Sequence, residues 1–372
     1  MSLPPPARVG DPLAAVDTPA LLIDLDAMDR NIGLMQTFAD DRGLRLRPHA
    51  KSHKSADLAL RQIAHGAVGV CCQKGSEAEL LVAGGVGDIL VTNQVVGPRK
   101  TARLARLARH AAIGVCVDDR ANLEELAQAA RHAGAVLEIY VELEVGMGRC
   151  GVGPEPAAEL CRAAAGLEGV RLAGIQAYNG RAQHIRGHDD RGAAVERSSG
   201  IVKDLLDRLA ASGSEAPLVT GAGTGSFEFE AQSGFWGELQ TGSYVFMDAD
   251  YGRNLDADGR PDSRFEQSLF VLAGVVSGAP EGKVVVDAGL KALAVDSGLP
   301  LVAAPGGATY LGASDEHGVV AVADGPKPRP GETVRLVPGH CDPTVNLHDW
   351  YVCVRDGHVA DIWPVTARGA VF

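Results

Sequence analysis

Through the first two thirds of the chain, short β-rich apolar runs alternate with amphipathic stretches. The apolar runs are LRLRPH (44–49), AVGVCC (67–72), DILVTN (88–93), AIGVCVD (112–118), LEIYVEL (137–143), LAGIQAY (172–178), PLVTGAG (217–223) and ELQTGSYVF (238–246). Between them stand SADLALRQIAHG, KTARLARLARHA, RANLEELAQAARHAG, EPAAELCRAAAG and AAVERSSGIVKDLLDRLAASG. Their apolar residues recur at helical spacing, and several close on Gly or on basic residues, as helix C-termini do. Eight strands with helical crossovers fit a closed (β/α)8 TIM barrel better than an open doubly wound sheet.

After about Asp250 the rhythm changes. SLFVLAGVVSG, GKVVVDAG, GATYLGA, GVVAVADG, ETVRLVPGH and WYVCVRDGHVADIWPV read as strands separated by Gly, Pro and Asp turns, with little helical pattern left. The expected organisation is a barrel over 26–250 and an all-β domain over 251–372, to which residues 1–25 add a strand.

With 372 residues, 46% of them hydrophobic, the chain can bury a large core. Its formal net charge of −12 argues against a surface that tracks phosphates, so nucleic acid is not an expected partner. The N-terminal MSLPPPARVGDP lacks an apolar signal core, and the run around LFVLAGVV is too short to cross a bilayer. No membrane association is expected, and the predicted location is cytoplasmic. Seven scattered cysteines, an odd number, read as reduced buried side chains rather than a disulfide frame.

In such a barrel the strand C-termini form the active face. The polar residues there are His49 and Lys51, Gln73, Asn93, Asp118, Arg149, Tyr178, the run Gly221 to Ser226, and Ser243 with Tyr244. A lysine is ordinarily a solvated surface charge. At the end of the first barrel strand, however, Lys51 points toward the mouth. There the cations of RPHAKSHK would lower its pKa and make it a competent Schiff-base former. Lys54 is the weaker candidate, and His49 and His53 could equally be satisfied loop histidines. The glycine-rich TGAGTGS (220–226) follows the seventh strand, where barrels commonly hold a phosphate. It lacks the Gly-Lys-Ser/Thr ending of a P-loop, so a single phosphate monoester is the expected guest, with a tight turn as the plain alternative. Arg149 in GMGRCG could contact an anion or a ring nitrogen, or be a surface arginine. Tyr178 either turns its hydroxyl to the mouth or packs in the core. In PGHCDPTVNLHDW, read as extended, His340 and Asp342 share a face while Cys341 points away, half a site for a divalent ion. His348 and Asp349 are turn residues or support for such a site.

Several motifs together carry a resemblance. DTPALLIDL, RPHAKSHK, GVCCQKGSEAELL, GMGRCGV, GIQAYNGRAQH, TGAGTGSFEFE, ELQTGSYVFMDADYG, VDAGLK, SDEHGVV and GHCDPTVNLHDW resemble, in order, the D-threonine aldolase and 3-hydroxy-D-aspartate aldolase group. That group belongs to the alanine-racemase-like (fold type III) pyridoxal-phosphate enzymes. The resemblance implies a homodimeric pyridoxal 5'-phosphate (PLP) barrel with a C-terminal β domain and an activating divalent metal. Lys51 then matches the Schiff-base lysine, Arg149 and Tyr178 the contacts to the cofactor ring, and Thr224, Gly225, Ser243 and Tyr244 the phosphate stretches. Ala222 stands where relatives often have glycine. His340 and Asp342 match the metal pair. Related D-serine dehydratases carry His-x-Cys, so Asp342 favours a harder ion, Mn²⁺ or Mg²⁺.

The implied reaction is retro-aldol cleavage of a D-3-hydroxy-amino acid of the D-threonine type to glycine and an aldehyde, with His184 as the base. Alternatives are a 3-hydroxy-D-aspartate aldolase, for which Arg181, Arg186 or Arg253 could meet the second carboxylate, a D-serine or 3-hydroxyaspartate dehydratase, and a PLP carrier without turnover.

Overall fold

The structure is a computed structural model that describes residues 4–323 and 325–372. Residues 1–3, within the segment assigned to the β domain, and Asp324, within the GVVAVADG run, lie outside the described residues. The chain opens with strand β1 (Ala20–Asp24) and helix α1 (Leu25–Asp40). There follow β2 (Arg45–Leu46), α2 (Ala56–Ala64), β3 (Val70–Cys72), α3 (Gly75–Ala83), β4 (Asp88–Gln94), α4 (Pro98–Leu107), β5 (Ala112–Val117), α5 (Arg120–Ala133) and β6 (Leu137–Glu142). Then come α6 (Pro154–Ala165), β7 (Val170–Ala177), α7 (His188–Ala211), β8 (Leu218–Gly221), α8 (Phe227–Ser233) and β9 (Glu238–Leu239).

Strands β2 to β9 form one all-parallel sheet in the order β2-β9-β8-β7-β6-β5-β4-β3. It closes into a barrel where Val68 N–H donates to Leu46 O at 2.9 Å and Cys71 N–H to Pro48 O at 2.8 Å. The eight runs predicted from the sequence are the eight barrel strands. The first and last are shorter than the apolar pattern suggests: Pro48 has no N–H to continue a ladder, and the last run turns at Gly242 into a 3-10 helix over Ser243–Val245.

Inside the barrel, Cys71, Leu90, Cys116 and Tyr140 pack together. The N-terminal ends of the strands hold a buried ion pair. Arg47 reaches Asp88 at 2.6 Å and Glu238 at 3.1 Å, and both Arg47 and Glu238 are fully buried. Burial alone would depress the guanidinium; Glu238 and Asp88 override it and hold the charge firmly on.

The remaining strands are β10 (Leu269–Ser277), β11 (Lys283–Val286), β12 (Leu301–Ala304), β13 (Ala308–Ala313), β14 (Gly318–Val322), β15 (Thr333–Val337), β16 (Trp350–Arg355) and β17 (His358–Pro364), with α9 (Cys341–Val345) between β15 and β16. They join β1 in a second sheet, where β1 runs parallel to β16 and antiparallel to β10. The fold is thus an eight-stranded parallel barrel with a sheet-rich C-terminal part, as the pattern predicts. One core cluster, including Met28, Ile32, Tyr244, Phe246, Val271 and Tyr351, spans α1, the end of the barrel and the second sheet. Through it, residues after β15 are held against the barrel mouth.

The local expectation that fails is the extended GHCDPTV. His340 is extended, with φ −144° and ψ 125°, but Cys341–Val345 is a helical turn that His340 caps. Pro343 falls in the first turn, where its missing N–H is not needed, and Thr344 Oγ1 donates to His340 O at 2.8 Å.

Candidate active site

A cavity of about 160 Å³ opens at the C-terminal face of the barrel, lined among others by His49, Lys51, Gln73, Thr92, Arg149, Tyr178, His184, Thr224, Ser243 and Tyr251. It is built by chain segments at the ends of β2, β3, β4, β6, β7, β8 and β9, which is why residues spread over two hundred positions face one space.

The basic cluster at 47–54 divides. Arg47 is turned into the barrel, Lys54 donates to Glu77 Oε1 at 2.5 Å, and His53 is fully buried with its Nδ1 accepting from Ser55 N–H at 3.1 Å. Only His49 and Lys51 reach the cavity. His49 Nδ1 accepts the Lys51 N–H at 3.3 Å, which leaves Nε2 to donate to Thr92 Oγ1 at 2.9 Å. Burial and the neighbouring Lys51 charge hold this imidazole neutral, well below its ordinary range.

Lys51 Nζ meets Asp342 Oδ2 at 2.5 Å, while 38% of its side chain remains open to the mouth. Burial would depress the ammonium, but the carboxylate of Asp342, with help from Tyr178, raises it. This corrects the expectation that neighbouring cations lower Lys51: its closest charge is negative and comes from α9. Asp342 is correspondingly held down to about 2, since Lys51 and His340 outweigh its burial.

His340, one residue before α9, pairs its Nδ1 with Asp296 Oδ2 at 2.8 Å. A carboxylate on one ring nitrogen orients an imidazole and leaves the other nitrogen, Nε2, available as a ligand. Among the described residues, no group of three or more His, Cys, Asp or Glu could hold a metal ion. A cation here would therefore rest on His340 and Asp342, with water or substrate completing its shell.

His184 Nδ1 bonds Asp250 Oδ2 at 2.6 Å. Asp250 also accepts from Arg186 at 2.5 Å and from Arg253. Burial would raise the Asp250 carboxyl, but Arg186 and His184 hold it below the usual range. It stays ionised and fixes the imidazole so that Nε2 is the free nitrogen.

The loops after β8 and β9 meet at the cavity wall. Backbone N–H groups of Gly223, Thr224, Gly242 and Ser243 make no hydrogen bond to a protein acceptor among the described residues. Four unpaired donors at one wall fit a phosphate monoester. The other two residues expected there behave differently. Gly225 N–H is taken by Gln183 Oε1 at 2.9 Å, and the Tyr244 ring is fully buried with its hydroxyl accepting from Gln62 at 2.9 Å, so neither lines the cavity. Tyr244 contributes instead through its N–H, which donates to Thr224 Oγ1 at 2.9 Å. Ala222 holds φ +70°, the left-handed conformation that glycine adopts freely and other residues rarely.

Asn93 and Asp118 do not line the cavity. Asn93 faces an adjoining pocket with Lys100 and Arg103, and Asp118 caps the Arg149 loop by accepting Gly151 N–H at 2.9 Å. Sequence reasoning passes over Thr92, Gln176, Gln240 and Tyr251, all in the wall, and the orienting residues Asp250 and Asp296. Gln240 follows β9 directly and Asp250 lies in the MDADYG motif, so both carried a signal; Asp296 carried none.

The model of the alanine racemase N-terminal domain matches residues 23–250, and that of the putative serine dehydratase domain matches 268–354. A D-threonine aldolase from an Arthrobacter species is 49% identical over 371 residues, covering 99% of this chain and 97% of that one. This chain belongs to the alanine-racemase-like family, in its group of D-threonine and 3-hydroxy-D-aspartate aldolases. A 3-hydroxy-D-aspartate aldolase from Paracoccus denitrificans is likewise 49% identical, over 98% of this chain and 95% of that one. The crystal structure of a D-threonine aldolase from Filomicrobium marinum superposes with a TM-score of 0.95 at 49% identity, covering 99% of this chain and all of that one. The aldolases of this group are lyases, and this chain is one of them.

Proposed function

We propose that this aldolase cleaves D-3-hydroxy-amino acids of the D-threonine type to glycine and an aldehyde, using PLP and a divalent cation. The observation that carries the reading is the convergence of Lys51, His184 and the four unpaired N–H groups on one cavity, with Asp342, of the His340 and Asp342 pair, against Lys51 Nζ. The donors fit PLP: an amine for its aldehyde, a phosphate wall, and Tyr178 with Arg149 in the same lining for its ring. When both groups are bound, the chemistry supplied is an electron sink for the pair released at Cα and Lewis-acid polarisation of the β-hydroxyl.

The residues of the chain then do the following. Lys51 would hold the cofactor and give it up to the substrate amine, and Asp342, already beside Nζ, would share the cation with His340. One N and one O donor of this hardness suit Mn²⁺ or Mg²⁺. His184 takes the β-hydroxyl proton at Nε2, because Nδ1 is committed to Asp250, whose charge stabilises the imidazolium that forms. Breaking Cα–Cβ releases the aldehyde, and a proton returned to Cα completes glycine.

A second reading, 3-hydroxy-D-aspartate as substrate, has support in Arg181. Arg186 and Arg253 are both bound to Asp250, whereas exposed Arg181 lies against Gly148, one residue before Arg149, and has no ion-pair partner among the described residues. Its guanidinium is available for a second carboxylate. A cytoplasmic homodimer goes with both readings; what supports the location is that none of the seven cysteines is paired and that no described helix is long and apolar enough to cross a membrane.

The test is purified protein with PLP and Mn²⁺, given D-threonine or 3-hydroxy-D-aspartate, with and without chelator. Glycine plus aldehyde, lost on chelation, is the expected result; a keto acid plus ammonia would mean dehydration instead.

A further inference from the structure

Gln183 immediately precedes His184 and is completely buried, yet it does not line the cavity. Every polar atom of its side chain is used. Oε1 accepts Gly225 N–H at 2.9 Å, and Nε2 donates to Ser226 Oγ at 2.7 Å and to Asn179 O at 3.2 Å. Ser226 Oγ in turn donates to Glu230 Oε1 at 2.8 Å, which anchors the clamp in α8. The phosphate loop has closed so tightly on this residue that a Cβ at Gly223 would stand 2.4 Å from Gln183 Oε1 and one at Gly225 2.7 Å from Gln183 O. Its two glycines are therefore required by Gln183 rather than by turn geometry, since neither has a positive φ.

From the same residue a second chain of contacts leads to the base. Gln183 O accepts from Asn254 Nδ2 at 2.9 Å, Asn254 Oδ1 accepts from Arg186 at 2.8 Å, Arg186 donates to Asp250 at 2.5 Å, and Asp250 holds His184 Nδ1 at 2.6 Å. Gln183, Asn254, Ser226 and Glu230 are all buried, so the bonds among them are shielded from competing water, while the Arg186 and His184 end of the chain stands partly open.

We propose that Gln183 is a positioning residue that couples the phosphate loop after β8 to the placement of His184, so that an anion in the loop is felt at the imidazole. The inference rests on the reading of this site as the cofactor's, and concerns how that site is assembled. Removing one end of a buried amide clamp leaves the loop free to relax, and each lost bond corresponds to a factor of roughly 2–10 in binding.

The test uses Ser226→Ala, which removes only the outer partner of the clamp, and Gln183→Glu, which keeps the acceptor for Gly225 N–H but loses both donors. PLP and pyridoxal, which lacks the phosphate, are titrated into each protein. Both variants are expected to bind PLP about tenfold more weakly and pyridoxal as tightly as the parent. In parallel, the His184 ring resonances are followed by NMR as inorganic phosphate is added to the cofactor-free protein. They should move in the parent, and move less in the variants even at saturating phosphate.

Equal weakening of PLP and pyridoxal would reduce Gln183 to a general structural residue. Unchanged PLP affinity, or a phosphate response at His184 that is absent from the parent or the same in all three proteins, would overturn the coupling. Should Gln183→Glu fail to fold, Ser226→Ala decides alone. If the parent shows the coupling but cleaves no D-3-hydroxy-amino acid, the proposed function fails while this inference stands.

Discussion

Lys51 Nζ and Asp342 Oδ2 lie 2.5 Å apart although their residues are separated by 291 positions, one on the barrel rim and the other on a helical turn beyond the barrel. The pair joins the group expected to hold the cofactor to a group expected to hold the cation. The two substitutions should therefore have separable effects. Lys51→Ala is expected to abolish both the visible absorbance of lysine-bound PLP and turnover. Asp342→Asn should keep the absorbance and lose the part of turnover that a chelator removes. Spectra recorded with and without Mn²⁺ decide it; a colourless Asp342→Asn, or a yellow and active Lys51→Ala, contradicts the assignment.

General-base help is worth about 10²–10⁴-fold, so His184→Ala should lower kcat by that much while PLP remains bound. Asp250→Asn removes the charge that fixes Nδ1 and should cost less than His184→Ala. Rates measured on protein whose cofactor content is checked by absorbance separate the two. An Asp250→Asn protein slower than His184→Ala would mean that the carboxylate, not the imidazole, moves the proton.

The Arg47 pair predicts a stability effect far from the chemistry. Arg47→Met removes one of the two guanidiniums paired with buried Glu238, Arg45 being the other at 3.1 Å, and should cost up to about 3–5 kcal/mol. Urea unfolding at neutral pH measures it. A loss below about 1 kcal/mol would show that Glu238 is compensated by Arg45 and by Thr220, whose hydroxyl donates to it at 2.8 Å.

Acid sensitivity follows from buried His53, which burial pushes down to about 3. A base whose folded value is depressed contributes stability above its unfolded value of about 6.5, and that contribution is lost as pH falls from there toward 3. Asp342, depressed to about 2, adds a separate loss between about pH 4 and 2. In urea titrations His53→Gln should flatten the decline between pH 6 and 4, only in part because His49 acts in the same direction. A slope identical to the parent's would mean that His53 does not drive it.

Much of the site was legible before any tertiary contact was known, because barrel geometry converts position in a strand into position in space. Lys51, Arg149, Tyr178, His184, Thr224 and Ser243 all line the cavity. What failed was orientation. Arg47 carries the same charge as its neighbours but points into the barrel, and Tyr244, adjacent to Ser243, sends its ring into the core. Alternation along two or three residues near a strand end cannot be read from residue type, since Pro48 and Gly242 interrupt it. Helix α9 was misread because His-Cys-Asp has no period of its own; the informative residue was Pro343.

By itself the sequence determined the barrel, the strand-rich part that follows and the rim on which the chemistry sits, because hydrophobic periodicity is a local property that each segment carries alone. Only the tertiary structure decided that the nearest charge to Lys51 is a carboxylate, that Asp250 governs His184, and that Gln183 ties the phosphate loop to it. Those are contacts between segments distant in the chain. Electrostatic and hydrogen-bonding partners are chosen by proximity in space, which no local pattern encodes.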